Sequence, residues 1–219
     1  MNRLLFEKTG KAIYISHLDT MALFPRIFLR AGLHLKFTQG MSPHAYVSIA
    51  LPLSVGMSSQ CEILDFTLEE EGVELSSLPE RLNPYFPAGI RVLAAYDSPE
   101  KVKNLRFLRC QVHLEYDGGA GDETLENLRA LFVRETLFVG KKTKKGLAET
   151  DIRPMIRSME VQRVSEQELL LDTVICAQEP SLNPQYLTKA IERHAPSCVP
   201  NFSWAHRVEV FDGEMQVFR

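Results

Sequence analysis

Residues 3–38 read RLLFEKTGKAIYISHLDTMALFPRIFLRAGLHLKFT, and the way this stretch divides decides the fold. The apolar run at 3–7 predicts a strand, Lys8-Thr9-Gly10-Lys11 a turn, and the β-rich residues 12–15 a second strand, together a hairpin. Ser16 with Asp19 three residues on is an acidic form of the capping box. Leu18, Met21, Leu23, Phe24, Ile27, Phe28 and Leu29 follow at helical spacing, which predicts a helix over 17–31. Pro25 removes one N–H inside that helix, so the helix either kinks there or begins its regular part there. Gly32 ends it, and the alternation over 33–38 predicts another strand.

Downstream, residues 39–53 hold Gly40, Pro43 and Pro52 and predict a long ordered loop around a short strand at 46–50. A strand at 61–69, a helix at 75–82 and a strand at 90–95 complete the order βαββαβ, the ferredoxin-like split βαβ pattern. Residues 99–104 are polar, with a proline and two lysines, and predict a linker. The same order then returns. Residues 107–116 predict a strand, 122–135 a helix capped by Asp122, 137–139 a short strand, and 151–159 a strand or strand plus turn. A strand at 168–176, a helix opened by Asn183-Pro184 and running to 193, and a strand at 204–211 follow. The expected fold is therefore α+β, two ferredoxin-like units in tandem, at 1–98 and 105–219.

At 219 residues and 45% hydrophobic content the chain buries a real core, and a net charge of -3 removes any global field for nucleic acid or for cationic partners. Charge is local instead. Between Arg134 and Arg163 eight Lys/Arg face four Asp/Glu, a local net of +4 centred on KKTKKG at 141–146. That segment has the composition of a hairpin tip; its Lys144 and Lys145 either reach phosphates or form a solvated turn. The four cysteines are scattered without a Cys-x-x-Cys pair and are expected to be reduced. With no signal-like apolar run at residue 1 and no stretch of 18 apolar residues, a cytoplasmic chain that avoids membranes is expected.

Ser16, His17 and Asp19 hold a hydroxyl, an imidazole and a carboxylate within four residues, but a triad is assembled from separated parts of a fold, and Ser16 and Asp19 serve better as helix caps. Gln39-Gly40-Met41-Ser42-Pro43-His44 is an ordered polar loop. It can offer Gly40 backbone and the His44 ring to a phosphate, or His44 can simply hold the loop. Asp151 and Arg153, two apart, point to one face of a strand and either pair or bind a ligand. No zinc-spaced His/Cys cluster, Gly-x-Gly-x-x-Gly or phosphate-loop motif occurs, so no cofactor and no metal are expected.

KTGKAIYISHLDTMALFPRIFLRAGLHLKFTQGMSPHAYVSIALPLSVG, residues 8–56, resembles the opening of the bacterial radical-SAM-associated protein family, a domain of unknown function found alone or as the C-terminal part of radical SAM proteins. Lys8, Gly10, Ser16, His17, Leu18, Asp19, Arg30, Ala31, Gly32, Gly40, Pro43, His44, Pro52, Leu53, Gly56, Glu62 and Asp65 carry the likeness, with Lys144-Lys145-Gly146 and Asp151-Ile152-Arg153-Pro154 in the second half. Ala22, Leu29, Met41, Ser42 and Ala45 depart from the pattern, and the first helix carries fewer basic residues than the family's. The resemblance implies a role beside a radical SAM protein in modifying or handling RNA or a ribosomal component. The iron–sulfur cluster would lie elsewhere, since no Cys-x-x-x-Cys-x-x-Cys occurs here.

Three functions stay open. The first is a non-catalytic RNA-binding or substrate-presenting module, in which Lys8, Lys144, Lys145 and Arg153 contact phosphates and His44 a base or sugar. The second is an enzyme acting on RNA or a small phosphorylated substrate, with His17 or His44 as general acid/base and Asp19 or Asp65 as partner. The third is a protein-interaction scaffold. Ser16, Arg30, Gly40 and Asp151 complete the set of candidate binding residues.

Overall fold

The computed structural model describes residues 1–143 and 146–219, and the chain divides into two compact units, residues 1–104 with 218–219, and residues 105–217. The fold is α+β.

The first unit contains β1 (Asn2–Lys8), α1 (His17–Arg30), β2 (Val47–Ile49), β3 (Ser58–Phe66), α2 (Leu78–Leu82) and β4 (Ile90–Asp97). Its strands lie in the order β4-β1-β3-β2, every neighbouring pair antiparallel. The helix over α1 forms as its caps require: Ser16 Oγ accepts from Asp19 N at 3.1 Å and donates to Asp19 Oδ2 at 2.6 Å. The helix runs through Pro25 because Phe24, Ile27 and Phe28 are buried around it, a packing gain that outweighs the roughly 3 kcal/mol cost of an interior proline. Phe6, Phe24 and Phe86 meet edge-to-face at 5.2 and 5.4 Å, and Phe28 meets Phe66 at 5.1 Å.

Two expected strands of this unit are absent. Residues Gly10–Tyr14 form a 3-10 turn rather than a strand, because Gly10 adopts φ +53° and reverses the chain, leaving Tyr14 70% exposed. Over 33–38 the alternation does bury Leu33 and Leu35, but the backbone pairs only at single bridges, Leu35 with Leu68 and Phe37 with Ala45, and no ladder forms. Gly89 is required where β4 begins. At φ +92°, a Cβ there would lie 2.3 Å from the Thr9 carbonyl oxygen, while the Gly89 carbonyl accepts from Thr9 N at 2.7 Å.

Arg3 is fully buried and every polar edge it presents is used: Nε to Asp65 Oδ1 (2.6 Å), Nη2 to Asp65 Oδ2 (3.2 Å) and to Glu100 O (2.9 Å), Nη1 to Ser98 Oγ (3.0 Å). Its guanidinium also lies 5.0 Å from the Phe218 ring, which is how the last two residues join this unit.

The second unit contains β5 (Phe107–Glu115), α3 (Asp122–Phe132), a hairpin of β6 (Phe138–Thr143) and β7 (Gly146–Asp151), then β8 (Ile156–Ser165), β9 (Glu168–Cys176), α4 (Gln185–His194) and β10 (Phe202–Phe211). Its sheet has the order β10-β5-β9-β8, again antiparallel at every pair. Leu108, Cys110, Val112 and Leu114 on alternate positions of β5 are buried, as are the apolar stripes of α3 and α4. The cap of α3 lies one residue earlier than expected: Gly121 takes the N-cap position and Asp122 and Glu123 fall in the first turn, where their charge suits the helix dipole. No helix among the described residues is long and apolar enough to cross a membrane.

Candidate functional site

In the first unit the motif residues Lys8 and His17 meet a third group, Glu62. Lys8 ends β1 at 2% exposure, and its ammonium donates to the Ile15 carbonyl at 2.5 Å. Burial pushes the Lys8 pKa below the usual ammonium range, while the Glu62 carboxylate acts in the opposite direction. Glu62 is 2% exposed, facing Phe6 in the β1/β3 register. With Thr20, Ile49 and Leu53 these side chains line a recess of about 10 Å³, room for about one water. Lys8 therefore cannot offer its charge to a phosphate as the sequence suggested: desolvation and its bond to Ile15 hold it inside.

The remaining first-unit candidates are occupied elsewhere. Ser16 and Asp19 cap α1. Asp65 is locked in the bidentate pair with Arg3. His44 is exposed, its Nδ1 3.2 Å from Thr38 Oγ1; its carbonyl accepts from Thr38 N at 2.9 Å and its backbone N–H donates to Thr38 Oγ1 at 3.1 Å, so its immediate work is closing the loop. Gly40, at φ +135°, supplies a backbone conformation that side chains disfavour, and Arg30 stands exposed in the last turn of α1. Of His17, Asp19, His44 and Asp65, only His17 lines the recess.

In the second unit Asp151 and Arg153 do not form the expected same-face pair, because the strand ends at Asp151 and Arg153 lies in a 3-10 turn. Asp151 Oδ1 accepts from the backbone N–H of Leu137 (2.7 Å) and of Arg153 (3.0 Å). The Arg153 guanidinium donates to the carbonyls of Arg134 (3.2 Å) and Ile156 (2.9 Å). Lys144 and Lys145 lie outside the described residues.

Arg153 nevertheless belongs to a basic recess. Arg129 from α3, Arg153 from the turn and Arg157 from β8 line a cavity of about 340 Å³ with Phe132, Val133, Ile156, Ser158, Met159 and Val161, and no carboxylate stands in that lining. Arg129 is aimed by two bonds to the Val161 carbonyl, both 3.2 Å, and by Glu126 at 2.7 Å. Arg157 is exposed, its guanidinium 4.9 Å from the Phe107 ring centroid. Such an arrangement can hold phosphate or carboxylate groups through planar, fixed-charge donors. The charge balance of 134–163 pointed to this region, but Arg129 lies outside that window and reaches it only through the packing of α3 on β8. Among the described residues no group of three or more His, Cys, Asp or Glu could hold a metal ion.

A family model described as an uncharacterized protein conserved in bacteria (DUF2344) matches residues 2–184. No curated protein matches the sequence. Among solved structures, the chain is similar to a chain in a crystal structure of a Cbf5-Nop10-Gar1 complex, at 10% identity and TM-score 0.50, covering 95% of this chain and 48% of that one. It is also similar to a chain in a structure of an H/ACA RNP bound to a substrate RNA containing 2'-deoxyuridine, at 8% identity and TM-score 0.53, covering 98% and 48%. The chain thus spans about half the length of these neighbours, and at such identities the likeness concerns the fold alone.

Proposed function

Since the chain belongs to the DUF2344 family of conserved bacterial proteins, we propose that it is a non-catalytic RNA-binding or substrate-presenting module, built as two ferredoxin-like units in tandem and acting beside a radical SAM protein. The observation that carries the RNA reading is the recess of Arg129, Arg153 and Arg157, in which Glu126 pairs with Arg129 from outside the lining and three guanidiniums stand against that one carboxylate. The tandem is supported by the strand orders: β4-β1-β3-β2 in one unit and β10-β5-β9-β8 in the other, where the hairpin β6-β7 is an insertion into the same plan. The H/ACA RNP chain of similar fold comes from a structure bound to a substrate RNA, which is the context that suggests RNA as the ligand to test here. The radical SAM partner rests on the resemblance of the motifs around Ser16-His17-Leu18-Asp19 and Asp151-Ile152-Arg153-Pro154.

Single-stranded RNA is expected to bind with an affinity that falls linearly in log–log terms as salt is raised, which fluorescence anisotropy at several ionic strengths reads directly. A flat response, or no binding at low salt, would sink the RNA reading. Recovery of a radical SAM protein with the tagged chain from its native host tests the partner, and its consistent absence from washed complexes counts against that half of the proposal.

The recess of Lys8, His17 and Glu62 favours the second reading, an enzyme using general acid–base chemistry. A space of about one water admits no substrate without opening, so this reading stands behind the first.

A further inference from the structure

We infer that the sheet face of the second unit opposite its apolar core is a stacking platform for an unpaired RNA base, with Trp204 and His113 as its floor; this rests on the RNA reading above and names the part of the ligand that the arginine recess does not.

The face is defined by alternation. Along β5, Leu108, Cys110, Val112 and Leu114 are at most 5% exposed, while Arg109 and Glu115 are exposed and Gln111 and His113 half-buried on the opposite side. Trp204 of β10 stands across from His113 in the register, and the two rings stack at 3.7 Å between centroids and 2° between planes. Both polar edges are pinned. His113 Nδ1 lies 2.5 Å from Glu168 Oε1, and Trp204 Nε1 donates to Glu115 Oε1 at 3.0 Å. Two carboxylates thus fix a two-ring stack in advance, so little rotamer freedom is lost when a third ring extends it. Every base has a π face, and sheet-borne aromatic rings are a recurrent way of holding unstacked bases.

Neighbouring groups suit that guest. His206, paired with Gln111 on the same face, has its pKa pushed below the usual imidazole range by burial and by His113. Asp172, a further carboxylate of this face, is already engaged by Arg109, at 2.7 and 2.8 Å. At the other end of β5, Arg157 covers the Phe107 ring and also lines the basic recess, so the recess and the face share a side chain. His113 lies six residue steps along β5 from Phe107, a span of roughly 20 Å at strand rise. A strand of several nucleotides whose phosphates sit near Arg157 can therefore reach Trp204 with a base.

Trp204 is the only tryptophan of the chain, so its emission reports on this surface alone. Oligouridylate is titrated against the whole protein at low salt, beside an abasic strand of equal charge, with anisotropy and tryptophan emission read together. The platform requires quenching of Trp204 by oligouridylate and not by the abasic strand. It also requires a loss of oligouridylate affinity by a factor between about 5 and 150 in Trp204→Ala, with abasic binding unchanged. Trp204→Phe, which keeps a ring, should retain most of the affinity, and equal melting temperatures exclude a folding defect. If both strands bind alike and Trp204 emission does not move, the platform is overturned while RNA binding through the recess stands. If neither strand binds, both proposals fall.

Discussion

In the first unit the charges that matter to the fold are inside: Arg3, Lys8, Glu62 and Asp65 are all less than 9% exposed, and the Arg3 guanidinium is saturated with partners. In the second unit Arg207 is likewise buried, but Arg157 is exposed and Arg109 keeps 46% of its side chain in water. One element order thus supports two uses of charge. Buried groups in low dielectric are barely screened by salt, whereas the exposed Arg157 guanidinium contributes little to stability and can meet a ligand under salt control.

Substitution of Asp65 by Ala should give the largest effect, because it strands the Arg3 guanidinium in the core. A loss of about 3–5 kcal/mol in urea unfolding is expected, and a loss under about 1 kcal/mol would break the contrast between the units. Lys8→Met ranks next. It removes an ammonium that opposes Glu62 and should cost about 1–3 kcal/mol, part of which Glu62→Gln in the same background should restore. Simple additivity of the two changes would mean that Lys8 and Glu62 do not sense each other.

The smallest effect is a pH dependence in the second unit. Burial and the nearby His113 lower the His206 pKa in the fold, so below about pH 6.5 the unfolded chain binds that proton first. Stability should be complete above this pH, fall as pH drops through the folded value, and then level off; His206→Gln should flatten this window. Asp172, held below the usual carboxylate range by its bond to Arg109, gives a separate acid limb: its stabilisation is present above its ordinary value of about 3.8 and is lost on further acidification. Urea midpoints measured across pH resolve both limbs.

Local signals were read from the sequence and non-local ones were not. Ser16 and Asp19 announced the start of α1 because a cap is decided within four residues, and alternation over 107–116 announced β5 because one face of it is buried. The residues at 33–38 alternate just as well, yet whether a strand forms depends on what lies alongside, and here only isolated bridges do. The shared strand face expected for Asp151 and Arg153 is missing for the same reason: a 3-10 turn replaces the strand, and each side chain finds main-chain partners. At the candidate sites, Lys8, His17 and Arg153 were visible as motif residues. Glu62 was visible only as a matched position, and Arg129 joins Arg157 through the packing of a helix on a strand, which no spacing encodes.

The most direct test of the exposed-charge account is the salt dependence of RNA affinity for the wild-type protein and Arg157→Gln, compared as slopes of log affinity against log salt. The account expects a clear negative wild-type slope, reduced in magnitude by about one in the variant with the melting temperature unchanged. Parallel slopes for the two proteins would contradict it.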